Sequence, residues 1–361
     1  MTSPPPPGWG PPQSGYDSGP WPQQPNWTPP PTPKKQNSLK WLLISVAVLL
    51  VIAISVGATL LFTQDDGDSA TSTASSPSAM DIASASDKGP ISIITEDPTC
   101  AAWRPIASTL SKQESQGWQD RDFTLPSTAW TPEQRSMHES IAEAMQSAAN
   151  QTVPLVSKTP HRAMRELYEQ SIAYWRLYAD SIPQYTEADN SFAVAGTNAS
   201  SAIVSICGSI EYGSAEARSI LVDAGPTPTS TAAVGDVSTP SIFLTQSEDV
   251  CKDWNTESDK FDASIAEWQQ IDGNVPASDW TPSQRDLMQT AAEKMERYSV
   301  LLTELGSRSD NPAFRDFAEL ASIYWLAYSK SVPTHSPTDN YLSATAAYVV
   351  YMVYHACEAV E

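Results

Sequence analysis

The chain has 361 residues, enough for two modest domains and a tail. Asp and Glu number 42 against 21 Lys and Arg, so the formal net charge is −21; residues 1–40, with Asp17 against Lys34, Lys35 and Lys40, are themselves positive. The rest carries −23, which excludes a surface for DNA, RNA or anionic lipid headgroups, because phosphate binding needs clustered Lys and Arg.

Residues 1–33 are dominated by Pro, Gly, Gln and Ser, with Trp9, Tyr16, Trp21 and Trp27 scattered among them. Such a composition buries too little surface to offset chain entropy, so residues 1–40 are expected to be a disordered, proline-rich cytoplasmic tail, either a docking site or passive. Residues 41–62, WLLISVAVLLVIAISVGATLLF, form the one long run without a charge. As a helix rising about 1.5 Å per residue, this run spans a bilayer core of about 30 Å. Lys34, Lys35 and Lys40 precede it and Asp65, Asp66 and Asp68 follow it, which places the N-terminus inside and the remainder outside. A cleaved signal peptide has an apolar core of about 7–15 residues, so the longer run reads as a retained signal anchor. Residues 63–90, rich in Asp, Ser, Thr and Ala, read as a flexible stalk, and residues 225–241 read as a Ser/Thr/Pro linker.

Between and beyond these segments one unit is written twice, over residues 91–224 and 242–361. TAWTPEQR (128–135) recurs as SDWTPSQR (278–285), and AYWRLYADSIP (173–183) recurs as IYWLAYSKSVP (323–333), both at an offset of 150. The register holds without a gap from Trp118 and Trp268 to Cys207 and Cys357, too far for coincidence. Each copy predicts four helices. Trp254, Phe261, Ile265 and Trp268 share a helical face. Thr281, Pro282 and Gln284, like Thr131, Pro132 and Gln134, predict a helix opened by a capping box. A third helix is expected to run from about Pro312 and stop near Pro333, and a fourth to cover 341–356, matching 191–206. Pro98 and Pro105 blur the start of helix one in the first copy. The expected fold is all-α: two tandem four-helix up-down bundles after a single transmembrane helix.

Cys100, Cys207, Cys251 and Cys357 lie beyond the apolar run, and none sits in a CxxC pair. In an up-down bundle the start of helix one and the end of helix four share an end. Of three possible pairings, only Cys100–Cys207 with Cys251–Cys357 keeps each bridge inside one copy. Disulfides also agree with an oxidising exterior.

Residues present in both copies stand in for candidates. Trp130, Tyr174 and Trp175 match Trp280, Tyr324 and Trp325; large aromatics at helical spacing read as core before they read as a ligand groove. Arg135, Arg165 and Glu169 match Arg285, Arg315 and Glu319. Arg165 with Glu169, and Arg315 with Glu319, stand four apart and can pair. The bland reading is an ion-pair network, the sharper one an arginine-centred pocket for a carboxylate or phosphate. Asp189-Asn190 and Asp339-Asn340 are expected to cap helix four. His138 faces Met288 in the other copy, and His335 faces Tyr185, so no histidine is repeated. No HExxH, GxSxG or Gly-rich phosphate loop is present, and no cofactor or metal is expected.

WTPEQR (130–135), TPHRAMRELYEQ (159–170) and YADSIP (178–183) resemble an actinobacterial, especially mycobacterial, family of single-pass membrane proteins with a proline-rich N-terminal tail. The second copy departs from the pattern at SDNPAFRDFAEL (309–320). The resemblance implies a host group and an envelope location and carries no activity. The expectation is a non-enzymatic, membrane-anchored module that binds a protein partner of the cell envelope or a small ligand. A structural scaffold with a docking tail is the alternative, and an extracytoplasmic enzyme a distant third.

Overall fold

The computed structural model describes residues 82–361; the proline-rich tail and the apolar run at 41–62 lie outside them. Nine α-helices follow in order among the described residues: α1 (Cys100–Glu114), α2 (Pro132–Val156), α3 (Arg162–Ser181), α4 (Asn190–Glu211), the short α5 (Ser214–Ser219), α6 (Asp249–Ile265), α7 (Pro282–Ser307), α8 (Pro312–Ser331) and α9 (Asn340–Glu358). No strand occurs among these residues.

Local chemistry sets most of the boundaries. Thr131 and Thr281 accept from the Gln134 and Gln284 N–H groups, and each glutamine side chain accepts the threonine N–H at 2.9 and 3.0 Å. Proline follows at the first turn, so α2 and α7 begin where the capping box dictates. Pro105 sits inside α1 at an exposed position. Asp189 and Asp339 differ from expectation. Their carboxylates do not cap helix four; they accept from the Thr186 and Ser336 N–H groups and close a 3-10 turn just before it. The shorter reach back to the turn competes with the helix N-terminus and wins.

In the first copy α1 packs on α2, α2 on α3, α3 on α4, and α4 returns to α1; α6 to α9 repeat the circuit. Cys100–Cys207 and Cys251–Cys357 clasp the first and fourth helices of each bundle, with Cα atoms 5.4 Å apart in both. The most extensive helix pairing, however, lies between the bundles, where α4 meets α9. Gly208 lets the ring of Tyr341 approach, since a Cβ there would stand 2.5 Å from it, and Tyr212 stacks on Tyr341 at 5.4 Å. At the opposite end Ser191 Oγ donates to Glu358 Oε2. Positions 208 and 358 are equivalent in the repeat, as are 191 and 341. The two contacts are therefore related by a pseudo-two-fold axis, and α4 and α9 run antiparallel. This seam explains the one described helix that is long and apolar enough to cross a membrane, Glu187–Glu211, of which 78% of the apolar window is buried. A helix covered by its own bundle on one side and a second bundle on the other is apolar all round.

Two arms lie across the seam. Ile82, Ile91, Ile93 and Ile94 are buried, Ala83 N–H donates to the Ser157 carbonyl, and Ile94 N–H donates to the Tyr324 hydroxyl on α8. The packed chain thus begins at least by Ile82, inside the segment read as a stalk. Residues 225–248 reach the other way. Gln170 on α3 donates to the Ser241 carbonyl and accepts from Phe243 N–H, while Arg176 donates to the Ser238 carbonyl. Each copy's leading arm touches the other copy's third helix. With α5 carrying Arg218 onto Asp339 and Thr334 of the second copy, residues 82–361 share one continuous core.

Candidate functional site

The repeated WTP segment builds the first cluster. The Trp130 indole N–H donates to the Leu125 carbonyl, and the Trp280 indole to that of Val275, both at 2.9 Å. Arg135 and Arg285 donate to the Ser127 and Ala277 carbonyls, and the Arg135 guanidinium lies 5.7 Å over the Trp130 ring. These arginines staple the turn that precedes α2 and α7.

Each bundle places one histidine against this tryptophan, one from a helix and one from a turn. His138, on α2, stacks on Trp130 with centroids 3.8 Å apart, and its Nδ1 lies 3.1 Å from the Tyr178 hydroxyl, which also accepts from the Trp118 indole. His335, in the turn after α8, stacks on Trp280 at 5.3 Å, with Nε2 3.3 Å from the Gly273 carbonyl. Met288 fills the His138 position in the second copy and Tyr185 the His335 position in the first. His138 and Tyr185 both pack on Trp130, and Met288 and His335 both line the site of Trp280, so the two histidines take neighbouring positions around the same tryptophan and a fixed sequence offset scores both as unmatched. Burial first, and the nearby Arg121 charge second, lower His138 to about 4. Burial likewise lowers His335, against the Gly273 bond and Asp339. Both rings are neutral at pH 7. The cavity between Trp268, Trp280, Tyr328 and His335 measures about 10 Å³, close to the volume of a single water probe.

The other aromatic candidates sit in the interior. Tyr174, Trp175, Tyr324 and Trp325 are buried; Trp175 stacks on Trp103 at 6.2 Å, and Trp325 meets Phe261 and Trp268 edge-on.

A second cluster lies where α3 meets α8. Arg165 is buried, with Nη2 3.1 Å from Glu166 Oε1 and Nε 3.9 Å from Glu169 Oε1. Arg315 instead donates to the Ser309 carbonyl and to Ser230 Oγ on the second arm. Glu166 and Asp316 are equivalent positions and face one another across the pseudo-two-fold axis. Burial raises Glu166 well above the ordinary carboxylate range; the Asp316 charge adds to this and Arg165 opposes it. Glu169 and Glu319 are raised too, chiefly by burial, with Arg165 opposing at Glu169 and a Thr303 bond opposing at Glu319.

Two residues absent from the sequence candidates complete this cluster. The Arg162 Nε lies 2.6 Å from Asp316 Oδ2, and Nη2 lies 3.0 Å from Oδ1. A search for repeated residues passes over both, since Pro312 stands opposite Arg162 and Glu166 opposite Asp316. Their visible signal was an arginine present in one copy only and a position that is acidic in both, as Glu166 and Asp316. Among the described residues, no group of three or more His, Cys, Asp or Glu side chains is placed to hold a metal ion.

The raised acids give stability a definite pH dependence. Burial, with help from Asp259, pushes Asp262 on α6 up to about 8. An acid raised by folding favours the folded state below its unfolded pKa, and that contribution is lost as pH rises through the folded value. His138 works in the opposite sense, contributing above 6.5 and losing its contribution as pH falls towards about 4. Between about pH 6.5 and 8.5 the acids act alone, so the melting temperature is expected to fall as pH rises. Asp262→Asn is expected to flatten that fall; equal slopes in the two chains would place Asp262 outside the effect.

The family model for mycobacterial ESX-1 associated proteins matches residues 82–361. An uncharacterized protein of Mycolicibacterium smegmatis (strain MKD8) is 43% identical over 365 residues, covering 99% of this chain and 97% of that protein. No solved structure matches the chain.

Proposed function

The chain belongs to the mycobacterial ESX-1 associated protein family, and on that premise we propose that it is a binding module of the cell envelope. It is held by a single transmembrane helix at 41–62, with the double bundle outside, and engages a protein partner in the setting of ESX-1 secretion. One observation carries this reading. The aromatic residues repeated in both copies are buried, and the repeated arginines are engaged by Glu166 and Glu169 or by backbone carbonyls of their own turns, so a rigid, acidic outer surface is what the fold offers. Two disulfides and a continuous core keep that surface in one shape, which lowers the ordering cost of association.

The test uses the full chain, tagged after Glu361 and cross-linked in mycobacterial cells. An envelope protein is expected to be captured equally by the full chain and by a chain lacking residues 1–33. Capture is expected to weaken at raised salt, because an acidic surface attracts its partner through screened charge. Capture that vanishes with residues 1–33 would move the binding to the tail and overturn the proposal. Protease applied to intact cells is expected to remove the double bundle and spare the tail; the reverse pattern would reject the orientation.

A further inference from the structure

Arg162 stands where three parts of the fold meet. Its backbone belongs to α3 of the first bundle, and its guanidinium pairs with Asp316 on α8 of the second. Nη1 also donates to the Asp87 and Gly89 carbonyls of the first arm, at 2.9 and 3.1 Å, and Nη2 donates to Gly89 at 3.2 Å. With the two bonds to Asp316, all five guanidinium N–H groups have acceptors. The Asp87 carboxylate accepts the Arg162 backbone N–H at 2.7 Å, and so ties the arm to the start of α3 as well. The side chain is 1% exposed. The second copy has no arginine at this position, because Pro312 occupies it; its arm is bonded by Gln170 and Arg176 of α3 and by Asn311 and Arg315 of its own copy.

We propose that Arg162 is a latch joining the first arm to the seam between the bundles, so that docking of residues 82–90 and closure of the seam form one equilibrium. If the arm lifts, three of the five donors lose their acceptors while the charge stays buried. A buried charge left short of partners is strongly unfavourable, so the seam opens to admit water or another acceptor. If the seam opens first, the guanidinium loses Asp316 and the arm loses the positive charge that orders its carbonyls. Coupling of this kind is reciprocal: whatever stabilises the docked arm stabilises the seam by the same factor. The latch is read from residues 82–361 alone, and only its position at the foot of a membrane tether rests on the reading above. A pull or a partner acting on the chain before Ile82 would then be felt between the bundles.

Amide hydrogen exchange on the full chain tests this. Asp87→Ala, at a side chain 30% exposed, is expected to speed exchange in residues 83–90 and also, about fivefold or more, in α8. Asp316→Asn is expected to speed exchange in residues 83–90, which it does not touch. Asp236→Ala, which unties a turn in the second arm, serves as the control and is expected to leave residues 83–90 unchanged. An arm freed by Asp87→Ala over an α8 that exchanges as before would overturn the latch. So would an arm indifferent to Asp316→Asn, and Asp87→Ala keeps the test open if Asp316→Asn fails to fold. A chain that exchanges as expected yet does not sediment with membranes would remove the tether and keep the latch.

Discussion

Arg162→Met is expected to unfold about 3–5 kcal/mol more easily than the native chain, since it leaves a buried carboxylate without its counter-ion. Asp316 is 4% exposed, and both its oxygens take their bonds from Arg162. Water cannot replace them without parting α3 from α8. The Asp87 and Gly89 carbonyls lose their donors in the same step. The double variant Arg162→Met with Asp316→Leu is expected to recover most of the loss, because an apolar pair of similar volume removes the desolvation cost together with the attraction. Urea unfolding midpoints of the four chains of the cycle measure both numbers. A single variant that costs under about 1 kcal/mol would mean that the pair behaves as a surface ion pair.

Replacing Cys100 and Cys207 by serine is the second large effect. The bridge spans 107 positions, and the chain-entropy estimate for a loop near that length is about 4.7 kcal/mol, with about 2–5 kcal/mol typical of native bridges. The distinctive expectation concerns cooperativity. Since α4 and α9 share the seam, loss of the first bridge is expected to lower the melting of both bundles together, in one transition. Two separated transitions, the second unmoved from its native midpoint, would show the bundles unfolding independently.

Much of the fold was legible because it is written locally. The capping boxes at Thr131 and Thr281, the proline stops at Pro183 and Pro333, and the helical stripe from Trp254 to Ile265 depend on neighbours within a turn or two. The disulfide pairing followed from bundle geometry alone. The seam did not follow, because periodicity tells that a helix is buried and not what buries it; the all-round apolar composition of α4 was the available hint. The arms were misleading for a related reason. Residues 82–90 and 225–241 have the composition of linkers, and their order comes from distant side chains, Arg162, Gln170 and Arg176, that bond to their backbones. The site suffered most from reliance on repetition: Arg162, His138 and His335 each occur in one copy and Asp316 stands opposite Glu166, so a search for identical residues discards them.

The antiparallel crossing of α4 and α9 has a consequence for how this gene could change. In a dimer of identical chains, a carboxylate on the symmetry axis meets its own image, and any substitution appears on both sides at once. Fusing the two halves into one polypeptide removes that constraint and fixes their ratio at one to one. Complementary charge can then be divided between the halves, with Arg162 on one and Asp316 on the other, as in a heterodimer that never has to find its mate.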